Sequence, residues 1–274
     1  MAGYPRTLTP GIRCYSPAPG IDLYHGDCRT VVAYLQDIGS TQTADLVLTD
    51  PPYGIGYRNA RGKKIANDEQ APLWCIPLME ACLKPDSAML CFTGAKVHDV
   101  WQRTMEDAGF RVTCVDLDKG RLTLGDRRAG RRFGEHLLVG YKGTPRPRRW
   151  VDYGQFNTMS VEDTVVFLDY TQDHPEWEMH IPMERDREDG HPTPKPPLTM
   201  ERALMNYTDV GDLVLDPFMG GSPVGIAALR LQRRYIGIEM DPEHYNRAVR
   251  NLQREVALQE IVCRARSQIT GLSA

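Results

Sequence analysis

Short apolar runs alternate along the chain with longer stretches in which apolar residues recur at three- and four-residue spacing. The short runs are bounded by polar or turn-forming residues, as in strands buried in a parallel sheet, and the longer stretches have the spacing of amphipathic helices. The pattern predicts strands at residues 21–24, 44–49, 87–92, 110–115, 135–141, 212–215 and 234–238, and helices at 30–37, 71–83, 96–108, 197–206, 224–231 and 242–258.

This alternation predicts an α/β fold with a doubly wound, mostly parallel sheet and helices on both of its faces. The chain has 274 residues, which is enough for one such domain. Ligands of these sheets bind outside the carboxyl ends of the strands, near the point where the strand order reverses. The residues that follow the strands are therefore the first candidates for a functional site.

Two regions depart from the alternation and set the predicted domain boundaries. Residues 1–20 are rich in Pro and Gly and are interpreted as an N-terminal arm, not as a core element. Residues 143–190 contain many prolines and acids without periodicity, and we interpret them as an irregular insertion. The domain is then expected in two halves, 21–142 and 191–260, followed by a C-terminal tail, 261–274.

The composition argues against several classes of protein. No apolar run approaches the roughly 20 residues of a membrane span, and the first 20 residues lack the apolar core of a secretory signal. Seven cysteines are scattered without a C-x-x-C pair, which fits reduced thiols better than disulfides or a zinc site. We expect no metal, and a cytoplasmic protein of bacterial or phage type.

Charge is distributed unevenly, although the net charge is only −3. Residues 119–149 contain ten Lys or Arg against two acids, a local balance of +8, whereas residues 152–189 contain eleven acids against two arginines, a balance of −9. The basic stretch fits a phosphate-binding surface. It also fits a solvated loop that pairs with the acidic stretch, and composition alone does not separate these readings.

The segment from residue 213 to 239 has the arrangement of a nucleoside-binding element. A strand ending at Asp216 leads into a glycine-containing turn, Gly220-Gly221, and the next strand ends at Glu239, 23 residues after Asp216. An acid at the end of the second strand is suited to ribose hydroxyls. The G-x-G-x-x-G pattern is absent, and a strand-end Asp suits a cofactor with a cationic amine better than a pyrophosphate, which favours S-adenosyl-L-methionine over NAD. A purely structural turn stays open as an alternative.

Residues 50–53, Asp-Pro-Pro-Tyr, follow another buried strand and suit chemistry on an exocyclic amino group. The lone pair of such an amino nitrogen is delocalised into the base. Two acceptors, the Asp50 carboxylate and the Pro51 carbonyl, would draw it toward a nucleophilic geometry. Tyr53 would stack on a base flipped out of a duplex. A proline turn without catalytic role is the alternative.

With both turns in view, the chain resembles the permuted, β-class amino-group DNA methyltransferases (N6-adenine and N4-cytosine), in which the catalytic motif precedes the cofactor motif. The resemblance extends from about residue 22 to 252. Its motifs are GDC at 26–28, DPPY at 50–53, LKP at 83–85, GEHLLVGYKG at 134–143, HPTPKP at 191–196, DPFMG at 216–220 and RYIGIE at 234–239.

The resemblance implies a Rossmann-like methyltransferase fold with a catalytic half (21–142) and a cofactor-binding half (191–260), and S-adenosyl-L-methionine as the cofactor. The implied catalytic residues are Asp50, Pro51, Pro52 and Tyr53. Glu239 would hold the ribose, and Asp27 and Cys28 would lie by the adenine. The full implied cofactor set is Asp27, Cys28, Asp50, His191, Thr193, Lys195, Asp216, Pro217, Phe218, Gly220, Gly221, Ser222 and Glu239.

The chain departs from the family pattern at the cofactor turn. The usual Gly-Ser-Gly-Thr is Gly220-Gly221-Ser222-Pro223 here, so the second glycine is displaced and a proline stands at the helix start. Proline is tolerated in a first helical turn, and we expect binding to survive with altered loop contacts. The usual Gln of the HPTQKP motif is Pro194, and Asp116-Leu117 stand where a Trp is usual.

The target is predicted to be double-stranded DNA and its N6-adenine position, because Asp at the first catalytic position is commoner in adenine members than in cytosine ones. N4-cytosine methylation and a catalytically weak DNA-binding relative are the alternatives. The insertion is a candidate target-recognition region, although its acidity is awkward for that role. A homodimer and a paired restriction endonuclease stay open. The DNA-contact candidates are Arg58, Arg61, Lys63, Lys64, Lys119, Arg121, Arg127, Arg128, Arg131 and Arg132.

Overall fold

The computed structural model describes residues 6–9, 11–37, 44–56, 68–94, 96–118, 134–144 and 197–270. The strands in these ranges are β1 (Arg6–Thr9), β2 (Ile12–Ala18), β3 (Ile21–His25), β4 (Ala44–Thr49), β5 (Leu83–Thr93), β6 (Arg111–Asp118), β7 (Gly134–Tyr141), β8 (Leu213–Asp216) and β9 (Arg234–Glu239). The helices are α1 (Cys28–Asp37), α2 (Cys75–Glu80), α3 (His98–Asp107), α4 (Pro197–Tyr207), α5 (Pro223–Arg230) and α6 (Pro242–Thr270).

The described strands form one sheet in the order β1-β2-β3-β9-β8-β4-β5-β7-β6. The five central strands, β3, β9, β8, β4 and β5, pair in parallel. Strands β2 and β7 run in the opposite direction, and the outermost strands pair antiparallel with them. Among the described strands only these two are reversed, so the prediction of a doubly wound, mostly parallel α/β sheet is confirmed.

Helices cover both faces of the sheet. Helices α4, α5 and α6 pack on one face through residues such as Leu204, Ala227 and Leu252, and helices α1, α2 and α3 pack on the other through residues such as Val31 and Trp101. The central strands are therefore apolar on both faces, and all four residues of β8 are buried.

The strand order reverses between β4 and β8. From β4 the chain continues to β5 on one side, whereas β8 and β9 return to the other side of β4. Parallel strands end at the same edge, so the residues that follow β4 and β8 meet at the position where open α/β sheets bind ligands. Asp50 and Asp216 stand there.

The expectation that residues 1–20 stay outside the core is wrong for the part that the structure describes. Strand β2 pairs with the edge of β3, and Ile12 and Tyr15 are only 1% and 5% exposed. Of the prolines and glycines that suggested an arm, those in the described ranges mark turns and a bulge instead. Gly20 has φ +78° between β2 and β3, and the register shifts between Tyr15 and Ala18, around Pro17.

Two helix boundaries also differ from the prediction. The helix expected at 71–83 is reduced to the short α2, because Pro72 and Pro77 lack backbone donors and Leu83 already belongs to β5. Helix α6 continues to Thr270, beyond the expected end at 258 and into the predicted tail. The insertion from residue 145 onward lies outside the described residues, and the domain boundaries stay predictions.

No helix in the described ranges is both long enough and apolar enough to cross a membrane.

Candidate active site

Two turns, which we call the β4 turn (residues 50–56) and the β8 turn (residues 216–223), meet at the carboxyl edge of the sheet. Strands β4 and β8 pair in parallel, with Val47 opposite Leu215. The buried hydroxyl of Thr49, the residue before Asp50, donates to Asp216 Oδ1 at 2.9 Å. The two aspartates predicted from the sequence are therefore brought into one site by a direct bond between neighbouring strands.

Asp216 is almost completely enclosed, with 2% of its surface exposed. Besides the bond from Thr49, the backbone N–H of Phe218 donates to its Oδ1 at 3.2 Å and the Tyr235 hydroxyl donates to its Oδ2 at 3.3 Å. Burial raises the pKa of the Asp216 carboxyl to about 7, against the lowering effect of these three bonds, and the charge of Asp50 adds to the rise. Asp216 can therefore change its protonation near neutral pH.

Glu239 at the end of β9 is fixed by backbone donors from both sides. The N–H of Gly220 donates to Oε2 at 3.0 Å and the N–H of Asp241 donates to Oε1 at 2.8 Å. Burial raises the pKa of the Glu239 carboxyl. Each carboxylate oxygen keeps a second lone pair, so Glu239 can still accept bonds from a ligand.

Hydrogen bonds with Tyr235 and Asn251 hold the part of the β8 turn that departs from the family pattern. Ser222 is fully buried in a left-handed conformation, with φ 63° and ψ 48°. Its hydroxyl donates to the Tyr235 hydroxyl at 3.2 Å, and Asn251 Nδ2 of α6 donates to the Gly221 carbonyl at 2.9 Å. Pro223 begins α5, where its missing N–H costs nothing. The Ser222 side chain therefore faces the protein interior, and the expected ligand contact does not follow from its position.

The β4 turn is more open. Pro51 is buried, whereas Asp50, Pro52 and Tyr53 are partly exposed. The Tyr53 hydroxyl donates to Asp50 Oδ1 at 2.9 Å. On the ring's other side stands Gly94, where an added Cβ would lie 3.0 Å from Tyr53 Cδ2. The Asp50 carboxylate and the Tyr53 ring, which were predicted to receive a base, are thus bonded to each other at the partly exposed rim of the site.

Sequence reasoning missed the residue that closes the β4 turn. Asp68 is 2% exposed, and its Oδ1 accepts the backbone N–H of Gly54 at 2.7 Å. Its own carbonyl accepts the N–H of Gly56 at 2.6 Å. No signal in the local pattern separates Asp68 from other acids of that polar segment, because its role depends on how the segment folds back.

The predicted adenine-side residues lie beside Glu239, since the N–H of Gly26 donates to the Glu239 carbonyl at 3.0 Å. Asp27 caps α1 by accepting the N–H of Arg29 at 2.8 Å, and the Arg29 guanidinium lowers the pKa of its carboxyl. Burial raises the pKa of the Cys28 thiol to about 12. Asp27 is thus a cap and ion-pair partner, and Cys28 is a packing group under the turn.

Trp74, which the sequence did not place at the site, pairs there with Phe218 of the predicted cofactor set. The rings of Trp74 and Phe218 lie 6.5 Å apart between centroids, and the Arg29 guanidinium lies 4.8 Å over the Trp74 ring. Trp74 is 43% exposed. This apolar surface opens toward solvent between the β8 turn and α2, and it fits the face of a planar group.

Several predicted site residues lie outside the described ranges. They are His191, Thr193 and Lys195 of the cofactor set and all ten DNA-contact candidates. Within the described ranges, no group of His, Cys, Asp and Glu is arranged to hold a metal ion.

A doubly wound sheet with Asp-Pro-Pro-Tyr and Asp-Pro-Phe turns joined at its switch point defines an amino-group methyltransferase. The family model N6_N4_Mtase, described as DNA methylase, matches residues 44–250. The chain belongs to this family of DNA methyltransferases, which act on adenine N6 or cytosine N4. S-adenosyl-L-methionine, the cofactor predicted from the sequence, is the methyl donor of the family.

Similar proteins cover most of the chain. YubD of Escherichia coli is 30% identical over 227 residues, which are 81% of this chain and 86% of YubD. The DNA adenine methyltransferase YhdJ of the same organism is 25% identical over 257 residues, 84% of this chain and 82% of YhdJ. The M1.HpyAVI complex with S-adenosyl-L-methionine superposes with a TM-score of 0.59 at 22% identity, covering 84% of this chain and 98% of that one. The structural likeness shows the fold.

Proposed function

We propose that this chain transfers a methyl group from S-adenosyl-L-methionine to N6 of an adenine that is flipped out of double-stranded DNA at a specific sequence. The observation that carries the proposal is the bond from Thr49 to Asp216. It brings the Asp-Pro-Pro-Tyr turn and the Asp-Pro-Phe turn together at the switch point, as a transfer between a bound cofactor and a base requires.

The residues of the β8 turn fit the cofactor, which supplies an electrophilic methyl group on a sulfonium. The ionised Asp216 would accept bonds from the cofactor's ammonium group, and Glu239 would accept the ribose hydroxyls with its remaining lone pairs. Among the described residues, no atom lies within 4 Å of the position where Gly220 would bear a Cβ. Phe218 and Trp74 offer an apolar surface to the adenine.

The residues of the β4 turn fit the amino group of the base. Asp50 would accept one amino hydrogen and the Pro51 carbonyl the other, which returns electron density to the nitrogen. The nitrogen would gain the methyl group as its carbon–sulfur bond breaks to leave a neutral thioether, and Asp50 would accept the proton that the nitrogen releases. The partly exposed Tyr53 ring offers a face to the flipped base.

Adenine is favoured over cytosine because Asp50 occupies the first catalytic position, and because the relative YhdJ is named a DNA adenine methyltransferase. N4-cytosine methylation is the second candidate, since the family includes both specificities. The third, a DNA-binding relative with weak catalysis, was motivated by the altered β8 turn. The bonds from Ser222 and Asn251 that support this turn weaken that alternative.

The test uses purified protein, DNA from a host without DNA methylation, and S-adenosyl-L-methionine with a deuterated methyl group. Mass spectrometry of the nucleosides should reveal deuterated N6-methyldeoxyadenosine, and none should form with Asp50→Ala. Deuterated N4-methyldeoxycytidine would establish the second candidate instead. Absence of any labelled base, with DNA binding retained, would support the weak relative. Sequencing of modified bases in expressing cells then gives the recognition sequence.

A further inference from the structure

A buried carboxylate lies directly behind the base-facing turn, although no step of the proposed reaction uses it. Asp68 is 2% exposed in the polar segment that precedes α2. Aspartate is rarely enclosed to this degree unless hydrogen bonds hold its oxygens. Its enclosure therefore points to a specific task for the side chain.

The Asp68 side chain is bonded to the backbone immediately after Tyr53. Its Oδ1 accepts the N–H of Gly54 at 2.7 Å, a charge-assisted bond of the strong kind. This N–H belongs to the peptide unit that joins Tyr53 to Gly54, so the bond fixes the plane in which the Tyr53 backbone leaves the turn. A second bond, from the Gly56 N–H to the Asp68 carbonyl at 2.6 Å, holds the far end of the turn.

The backbone at Gly54 could not follow this path with another residue. Gly54 has φ +75°, and an added Cβ would lie 2.1 Å from the backbone nitrogen of Ala71. The β4 turn and the segment from Asp68 to Ala71 are thus in backbone contact. The carboxylate of Asp68 is the side chain that ties them together at this contact.

Tyr53 is consequently held from two directions. Its hydroxyl is bonded to Asp50 and its ring lies against Gly94, while the peptide that follows it is bonded to Asp68. A shift of the Gly54 peptide would move the Tyr53 ring and, through the hydroxyl, the Asp50 carboxylate. The base-binding geometry therefore depends on Asp68, although the Asp68 side chain itself is buried.

We propose that Asp68 is a positioning residue for the methyl-transfer reaction, acting on Tyr53 and Asp50 through the Gly54 amide. The inference rests on the proposed function, since it assumes that the β4 turn receives the target base. The two bonds described for Asp68 both join it to the β4 turn, so its effect should fall on the base side of the site. A displacement of about 1 Å in a reacting group can cost on the order of 100-fold in rate.

The test compares Asp68→Ala, Asp68→Asn and the control Glu69→Ala, which removes the neighbouring exposed acid. In Asp68→Ala, kcat should fall about 30- to 100-fold, while the Kd for S-adenosyl-L-methionine stays within about twofold of wild type. Asn keeps a carbonyl oxygen for the Gly54 N–H, and Asp68→Asn should recover most of the lost kcat. Glu69→Ala should match wild type.

Hydrogen–deuterium exchange of residues 50–56 gives a readout that does not require turnover. Asp68→Ala should exchange faster at these amides, and Asp68→Asn and Glu69→Ala should exchange like wild type. Unchanged exchange or unchanged kcat in Asp68→Ala would overturn the inference, as would Asp68→Asn behaving like Asp68→Ala. An equal loss of kcat and cofactor affinity would also overturn it, because it would show general damage. A wild-type protein without turnover would refute the proposed function instead, and the exchange measurement would still decide the role of Asp68.

Discussion

Two Asp-Pro dipeptides, Asp50-Pro51 and Asp216-Pro217, follow neighbouring parallel strands, yet their carboxylates lie in opposite surroundings. Asp216 is enclosed by Thr49, Tyr235 and the Phe218 amide, and burial raises the pKa of its carboxyl to about 7. Asp50 is partly exposed at the rim and is bonded to the hydroxyl of Tyr53.

The contrast shows that the dipeptide does not determine the role of its carboxylate. A strand-end Asp-Pro places a carboxylate at the edge of the sheet in both cases, and the neighbours then decide what it can bind. An enclosed carboxylate suits a group that stays bound, such as the ammonium of a cofactor. A carboxylate at the rim suits a base that must enter and leave. Substitution of Asp50 in the β4 turn should therefore lower the rate of methyl transfer, whereas substitution of Asp216 in the β8 turn should lower the affinity for the cofactor.

The largest effect is expected from Asp50→Ala. Methyl transfer should fall by about 1000-fold, because an acceptor at the reacting nitrogen is removed and such groups are worth 100- to 1000-fold in rate. The Kd for S-adenosyl-L-methionine should stay within about twofold. Single-turnover kinetics and calorimetry measure the two quantities. Asp50→Asn, which keeps one carbonyl acceptor, should lie between wild type and Asp50→Ala; activity near wild type in Asp50→Ala would place the chemistry elsewhere.

The next largest effect is expected from Asp216→Asn, and it should fall on the cofactor. The neutral amide still accepts the Thr49 hydroxyl but cannot pair with an ammonium group, so the Kd for S-adenosyl-L-methionine should rise about 10- to 100-fold. Without ligand, the variant should melt no lower than wild type at pH 8, because a buried charge is removed. A wild-type Kd in this variant would contradict the assignment of Asp216.

The affinity for S-adenosyl-L-methionine should depend on pH. With a pKa of about 7, Asp216 loses its charge as the pH falls. Under the proposed function, the ammonium group of the cofactor would bind only to the charged Asp216. The Kd for S-adenosyl-L-methionine should therefore rise about eightfold from pH 7.5 to pH 6. Calorimetric titrations across this range provide the measurement. The dependence should vanish in Asp216→Asn, and its persistence there would assign it to another group.

The smallest effect is expected from Ser222→Gly. The change relieves a left-handed serine, worth about 1 kcal/mol, and loses the neutral bond to Tyr235, also about 1 kcal/mol. Thermal unfolding should shift by no more than about 4 °C, and cofactor affinity should stay within about twofold. Tyr235→Phe loses this bond and also the bond from the Tyr235 hydroxyl to Asp216, without the relief, and should be the less stable of the two. A tenfold loss of affinity in Ser222→Gly would mean that Ser222 contacts the cofactor after all.

The alternation of apolar runs was sufficient to predict strands β3 to β9 and the two Asp-Pro turns that follow β4 and β8. Strand β4 has the predicted bounds, 44–49, because an apolar run ends at a proline that cannot continue a ladder. Strand β2 was missed because Pro17 and the flanking glycines, Gly11 and Gly20, dominate the local pattern. Pro17 lies at a bulge and the two glycines at turns, and the strand is stabilised by pairing with β3.

The hydrogen bonds that hold the site residues in place could not be predicted from the local sequence. Tyr235 reaches Asp216 because β8 and β9 are paired, and Asn251 reaches Gly221 from a helix that begins after the following strand. The Asp68 carboxylate is bonded to the backbone of Gly54, 14 positions earlier in the chain. Each of these contacts joins elements that are distant in sequence. The strand-end motifs could be predicted because a proline follows each strand-end aspartate and marks the end of the strand.

The most direct test is calorimetric titration with S-adenosyl-L-methionine of the wild-type protein, Asp50→Ala and Asp216→Asn. It tests whether the β8 turn binds the cofactor while the β4 turn acts on the base. Wild type and Asp50→Ala should bind the cofactor with the same affinity within about twofold, and Asp216→Asn should bind it about 10- to 100-fold more weakly. Absence of binding by the wild-type protein, or an equal loss of affinity in both variants, would contradict this division of roles.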